Sequence, residues 1–158
     1  MSGTPTAQAP TILVIDDDAG IASAIKQVLA LSGIKCLLGT SCRDAVEIIE
    51  DAEFLSLSIH GILADVRMPD GLGYKVIDVF RKRNPGVPAA VMTAYADDDL
   101  CNWLQKRRVP LLQKPFPVKQ LQEWLQTAKT YAEYCPSNTA SEDESWRSKP
   151  SRTGGLVG

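Results

Sequence analysis

Polar side chains follow four apolar runs of this sequence, each at the point where the run ends. The residues in question are Asp16, Asp17 and Asp18, then Asp65, Thr93 and Lys114. Clustered carboxylates repel one another unless a cation lies among them. Mg²⁺ prefers oxygen ligands, so it is the expected ion at such a site. One carboxylate can then attack phosphorus as a nucleophile, while a lysine and a hydroxyl hold the transferring oxygens. These residue types therefore indicate a magnesium site suited to phosphoryl transfer.

Such side chains can meet only if the apolar runs are parallel strands of one sheet, because functional groups gather at the carboxyl ends of such strands. From Thr11 the chain alternates between short apolar runs and amphipathic stretches, which is typical of βα units. Strands are predicted at 12–15, 34–38, 61–64, 87–92 and 111–113, and helices at 19–31, 43–51, around 76–80, 97–107 and 118–131. The predicted fold class is therefore α/β, a doubly wound (βα)5 arrangement around a five-stranded parallel sheet.

The sequence allows more specific predictions for two of these helices. Val46 and Ile49, with Phe54 as a further candidate, are expected to form the buried side of the second helix. The helix over 97–107 has a weak apolar face, so it is the candidate for a mobile element, with Asp97 to Asp99 as its acidic cap.

Length and composition favour one domain. The chain has 158 residues, of which 44% are hydrophobic and 23% charged, and its net charge is −2. The basic clusters at 81–83 and 106–108 are too short to suggest a nucleic-acid surface. Its four cysteines form no C-x-x-C pair, and no apolar run approaches membrane-spanning length. We therefore expect a cytoplasmic protein that binds neither nucleic acid nor membrane directly. The expected organisation is a flexible segment at 1–10, a domain at 11–132 and a disordered tail at 133–158.

Four motifs together resemble the receiver domains of two-component response regulators. They are ILVIDDD at 12–18, DVRMPDGLG at 65–73, VMTA at 91–94 and KPF at 114–116. The resemblance implies a flavodoxin/CheY-like fold in which Asp65 accepts a phosphoryl group from a sensor histidine kinase or phosphotransfer protein. It also implies a Mg²⁺ site formed by Asp65, by Asp17 directly, by Asp16 through water, and by the main-chain carbonyl of Arg67.

The same resemblance implies roles for residues beyond the metal site. Lys114 would pair with Asp65 and then with the phosphoryl group, and Thr93 would bind a phosphoryl oxygen beside the small Ala94. The Lys114–Pro115 bond is often cis in this family. Phosphorylation and slow dephosphorylation would be self-catalysed, with no separate metabolite as substrate. The phosphorylated state would control a downstream effector, and a phosphorylation-dependent homodimer is a further expectation.

Some features depart from this pattern or allow other interpretations. The family usually has an aromatic residue where Leu111 stands, so Tyr95 and Trp103 are hypothesised substitutes.

Asp17 or Asp18 could instead be only a helix cap. The alternative function is a Mg²⁺-dependent haloacid-dehalogenase-type phosphohydrolase, because Asp16-x-Asp18 mimics that family's acids, although Gly20 does not fit its motif. A constitutive docking module is the third possibility.

Overall fold

A computed structural model describes residues 9–134 of the chain. Its strands are β1 (Thr11–Ile15), β2 (Lys35–Gly39), β3 (Gly61–Asp65), β4 (Arg67–Met68), β5 (Gly71–Leu72), β6 (Ala89–Thr93) and β7 (Leu111–Gln113). Its helices are α1 (Ala19–Leu31), α2 (Cys42–Phe54), α3 (Lys75–Arg81), α4 (Asp98–Arg107) and α5 (Val118–Tyr134).

Five of the strands form one parallel sheet in the order β2-β1-β3-β6-β7. The short strands β4 and β5 pair with each other as an antiparallel ribbon just after β3. β1, β3 and β6 are apolar along nearly their whole length because both faces of the sheet are covered. This arrangement confirms the predicted doubly wound (βα)5 fold.

Alternate strand residues point into two cores. Leu13 and Ile15 pack with residues of α2, α3 and α4, whereas Ile12 and Val14 pack with residues of α1 and α5. The period-two alternation of strand side chains therefore places two helices on one face and three on the other. The carboxyl ends of all five strands lie at the same edge of the sheet.

Side-chain caps fix where three helices begin. Asp18 accepts a hydrogen bond from the main chain at the start of α1, Ser41 does so for α2, and Asp97 does so for α4. Each satisfies an N–H group that has no partner within the helix. The predicted cap role of Asp97 is confirmed, and Asp18 proves to be a cap.

Three details of the sequence analysis need correction. Phe54 is 86% exposed, because α2 ends there beyond the edge of the core. α4 has a defined buried side formed by Leu100, Trp103 and Leu104. α5 continues to Tyr134, so residues 133 and 134 belong to that helix rather than to the predicted tail. The rest of that tail and most of the predicted N-terminal segment lie outside the described residues. No helix among residues 9–134 is long and apolar enough to cross a membrane.

Candidate functional site

Three aspartates meet at the carboxyl edge of the sheet. β1 and β3 are neighbouring parallel strands in which Ile15 lies opposite Ala64. The residues that follow these two, Asp16 and Asp65, therefore lie side by side at the carboxyl ends of the strands. Carboxylate oxygens of Asp16, Asp17 and Asp65 all lie within 4.8 Å of one another. An all-oxygen set at this spacing fits a hard divalent cation such as Mg²⁺.

Lys114 reaches Asp16 and Asp65 from the carboxyl end of the edge strand β7. It follows β7, and its main-chain N–H donates to the Thr93 carbonyl at 2.7 Å. Its Nζ lies 3.3 Å from Oδ2 of Asp16 and 3.4 Å from Oδ2 of Asp65. The Lys114–Pro115 peptide bond is cis, as expected. The Lys114 ammonium group therefore bridges the carboxylates of Asp16 and Asp65.

Asp16 is the most enclosed member of the cluster, with only 1% of its surface exposed. Burial raises the pKa of its carboxyl group, and the negative charge of Asp65 acts in the same direction. The main-chain N–H of Asp18, at 2.9 Å from Oδ1, and the ammonium of Lys114 act in the opposite direction without reversing the shift. Positive charge placed beside Asp16 would stabilise its ionised form.

The loop after β3 holds Asp65 in place through its main chain. Oδ1 of Asp65 accepts the N–H of Val66 at 2.8 Å, and the Val66 carbonyl accepts the N–H of Gly73 at 2.8 Å. A Cβ atom at Gly73 would overlap the carbonyl oxygen of Asp65, so only glycine allows this close approach. Arg67, whose carbonyl is the predicted metal ligand, is the first residue of β4 in this loop.

Thr93 lies at the end of β6, but its hydroxyl is bonded within its own loop. Oγ1 donates to the Tyr95 carbonyl at 3.0 Å and accepts the Tyr95 N–H at 3.2 Å. Ala94 between them is exposed. The structure therefore brings Asp16, Asp17, Asp65 and Lys114 together directly. The Thr93 hydroxyl, by contrast, is engaged with the main chain of Tyr95.

The two hypothesised aromatic substitutes have very different surroundings. Tyr95 is 71% exposed, whereas Trp103 in α4 is 8% exposed and packs edge-on against Tyr74 with ring centroids 4.8 Å apart. Nε1 of Trp103 donates to Asp78 of α3 at 3.1 Å, and the guanidinium of Arg107 lies 4.5 Å from the Trp103 ring centroid. Trp103 is therefore part of the contact between α3 and α4.

Asp78 is the acceptor that joins this cluster. Arg107 donates to it through Nε at 2.7 Å and through Nη2 at 3.1 Å. Burial by itself would raise the pKa of Asp78, but the hydrogen bonds from Arg107 and Trp103 outweigh burial and lower it. Asp78 could not be identified from the sequence, because its partners are 25 and 29 residues away. An acid on an amphipathic helix gives no local sign of such partners.

The fold and this cluster of acids and lysine define a class of signalling domain. Residues 12–126 match the family model described as the response regulator receiver domain, and the chain belongs to that family. It is a receiver domain of two-component signalling. The haloacid-dehalogenase alternative finds no support in these matches, and Asp18, which it needs as a catalytic acid, caps α1.

Individual relatives agree with this assignment. The chain is 26% identical over 125 residues to the DNA-binding transcriptional regulator NtrC of Proteus hauseri, a match that covers 78% of this chain and 25% of the relative. NtrC of Escherichia coli K12 is 29% identical over 110 residues, which cover 69% of this chain and 22% of the relative. The chain thus spans about a quarter of the length of these curated relatives.

Solved structures show the same fold. A response regulator receiver domain protein (CheY-like) from Methanospirillum hungatei JF-1 superposes with a TM-score of 0.70 at 21% sequence identity. The superposition covers 80% of this chain and 98% of that one. The described domain therefore has the fold of a CheY-like receiver.

Proposed function

We propose that Asp65 accepts a phosphoryl group from a histidine kinase or a phosphotransfer protein in a Mg²⁺-dependent reaction. The observation that carries this proposal is the convergence of Asp16, Asp17 and Asp65 within 4.8 Å, with Nζ of Lys114 3.4 Å from Asp65. Asp16, Asp17, Asp65 and the carbonyl of Arg67 would hold the ion. When bound, Mg²⁺ supplies positive charge that reduces the repulsion between the carboxylates and the phosphoryl oxygens.

The protein's own residues would do the rest. A carboxylate oxygen of Asp65 forms the new bond to phosphorus while the bond from phosphorus to the donor's imidazole nitrogen breaks and that nitrogen keeps the electron pair. Lys114, which already contacts Asp65, would pair with a phosphoryl oxygen. Thr93 would turn its hydroxyl from Tyr95 to another phosphoryl oxygen. That movement would release two hydrogen bonds in the loop just before α4.

A labelling experiment tests the assignment of the acceptor. The chain is incubated with Mg²⁺ and a ³²P-labelled small phosphodonor, and incorporation is compared between wild type, Asp65→Asn and Asp51→Asn. Asp51 is a suitable control because it is an exposed aspartate in α2 outside the cluster. We expect label in wild type and in the control and none in Asp65→Asn. Label that persists in Asp65→Asn would contradict the proposal.

The output of the switch is also a proposal. Phosphorylation would control an effector protein or an output domain, and a phosphorylation-dependent homodimer is one form that control could take. Solution sizing with Mg²⁺, with and without beryllofluoride as a phosphoryl mimic, tests the homodimer. A doubled mass only with beryllofluoride is the expected result, and an unchanged mass contradicts the homodimer without affecting the acceptor assignment.

A further inference from the structure

The exposed carboxylate of Asp70 joins the ribbon of β4 and β5 to α2, a helix that is distant in the sequence. We propose that Asp70 is a positioning residue that fixes this ribbon against α2 and thereby holds the Arg67 carbonyl in place for the metal ion. The inference rests on the proposed function, since it assigns a role toward the same metal site. It concerns a residue that does not touch the carboxylate cluster itself.

Asp70 lies at the turn between β4 and β5 and binds the first turn of α2. Its Oδ1 accepts the N–H of Cys42 at 2.8 Å, and its Oδ2 accepts the N–H of Arg43 at 2.9 Å. Both N–H groups lack partners within the helix, and the positive end of the helix dipole favours a carboxylate there. The same two N–H groups hold the pKa of Asp70 below its usual value, so the ionised form is the one that binds.

The ribbon has few hydrogen bonds of its own, and of its four residues only Met68 is buried in the core. It contains two residue pairs, Arg67 with Leu72 and Met68 with Gly71. A two-stranded ribbon of this size is marginal by itself in water. It leads away from Asp65 and returns at Gly73, so its far end is the turn that contains Asp70. Anchoring that end limits how far the Arg67 carbonyl can rotate.

Asp70 is one of several groups that cap the start of α2. Oγ of Ser41 accepts the N–H of Asp44 at 2.9 Å, and the Asp44 carboxylate accepts the N–H of Thr40 at 3.0 Å. Residues next to the start of α2 therefore also cap this helix. Ser41 has no link to the ribbon in these contacts. It therefore provides a matched control: its loss weakens the same helix end but leaves the ribbon anchored.

The experiment measures Mg²⁺ affinity by calorimetry for wild type, Asp70→Ala, Asp70→Asn and Ser41→Ala, together with the urea stability of each. A buffer with about 0.3 M KCl shortens the screening length to roughly 6 Å, so that loss of the distant negative charge contributes little. Residues that orient metal ligands typically change affinity by about 10- to 100-fold when they are removed. We expect Asp70→Ala to weaken Mg²⁺ binding at the low end of that range.

The other variants make the result specific. Ser41→Ala should lose stability and keep wild-type affinity, and Asp70→Asn, which retains one oxygen acceptor, should fall between wild type and Asp70→Ala. If both Asp70 variants bind Mg²⁺ as Ser41→Ala does, the inference is overturned while the metal site stands. If Asp70→Ala does not fold, Asp70→Asn alone decides by the same comparison. If wild type binds no Mg²⁺, the metal assignment and this inference fail together.

Discussion

Replacing Asp78 tests how α4 is held to the rest of the domain. Asp78 accepts three hydrogen bonds, two from Arg107 and one from Trp103. Asp78→Ala removes all three, whereas Arg107→Ala leaves Asp78 bonded to Trp103. The two variants therefore separate the ion pair from the indole hydrogen bond.

The expected magnitudes follow from exposure. The side chains of Arg107 and Asp78 are 34% and 39% exposed, so solvent screens their ion pair and it contributes at most about 1 kcal/mol. The Trp103 ring is nearly buried, and an indole N–H left without an acceptor costs about 1 to 3 kcal/mol. The contact of Arg107 with the Trp103 ring adds about 0.5 to 1 kcal/mol.

These contributions predict an order of stability. Asp78→Ala should lower the free energy of unfolding by about 1 to 4 kcal/mol, because the orphaned indole adds to the lost pair. Arg107→Ala should lose only about 0.5 to 2 kcal/mol. Asp78→Asn keeps an acceptor for Trp103 and should lose less than Asp78→Ala.

Urea unfolding followed by circular dichroism measures these losses, provided that the denaturant slope is unchanged among the variants. An Arg107→Ala variant as destabilised as Asp78→Ala would contradict this order, since the ion pair and not the indole bond would then dominate. An Asp78→Asn variant no more stable than Asp78→Ala would contradict it as well.

Three further perturbations have outcomes that the structure specifies. His60 is the only histidine, its buried Nδ1 accepts the Thr11 N–H, and burial lowers its pKa from 6.5. The unfolded chain therefore binds the proton more readily, so stability should be fully present above pH 6.5 and fall as the pH drops below it. Urea unfolding of wild type and His60→Asn should show this loss only in wild type. Gly73→Ala should cost about 1 to 3 kcal/mol in thermal or urea unfolding, because its methyl group displaces the Asp65 carbonyl. Asp18→Ala should cost about 1 kcal/mol as a lost cap and leave Mg²⁺ affinity unchanged, whereas Asp17→Ala should weaken Mg²⁺ binding with little change in stability.

Sequence reasoning succeeded where the controlling interactions are local. Apolar runs that alternate with amphipathic stretches predicted the five parallel strands, and parallel strands bring the residues after β1, β3 and β7 to one edge. Their position at one edge follows from this topology, and the strand order β1-β3-β6-β7 then brings Asp16, Asp65 and Lys114 within reach of one another. Caps such as Asp97 were also predictable, because the cap and the N–H it accepts are only three residues apart.

Sequence reasoning failed where contacts join distant parts of the chain. Asp70 binds residues 27 and 28 positions away, and its neighbours in the sequence indicate only a turn. The buried side of α4 depends on Trp103 meeting Tyr74, which the periodicity of α4 cannot show. Phe54 followed the apolar pattern of α2 but lies where the helix has passed the core, so it is exposed. Such outcomes depend on where each helix ends relative to the sheet.

The central claim is that Asp65 carries the phosphoryl group, and locating the modification chemically tests it most directly. After incubation with Mg²⁺ and a phosphodonor, borohydride reduces an aspartyl phosphate to homoserine, and peptide mass spectrometry identifies the converted residue. We predict homoserine at position 65 and at no other aspartate. Conversion at Asp16 or Asp17 instead, or no conversion in a sample that carries phosphate, would contradict the account.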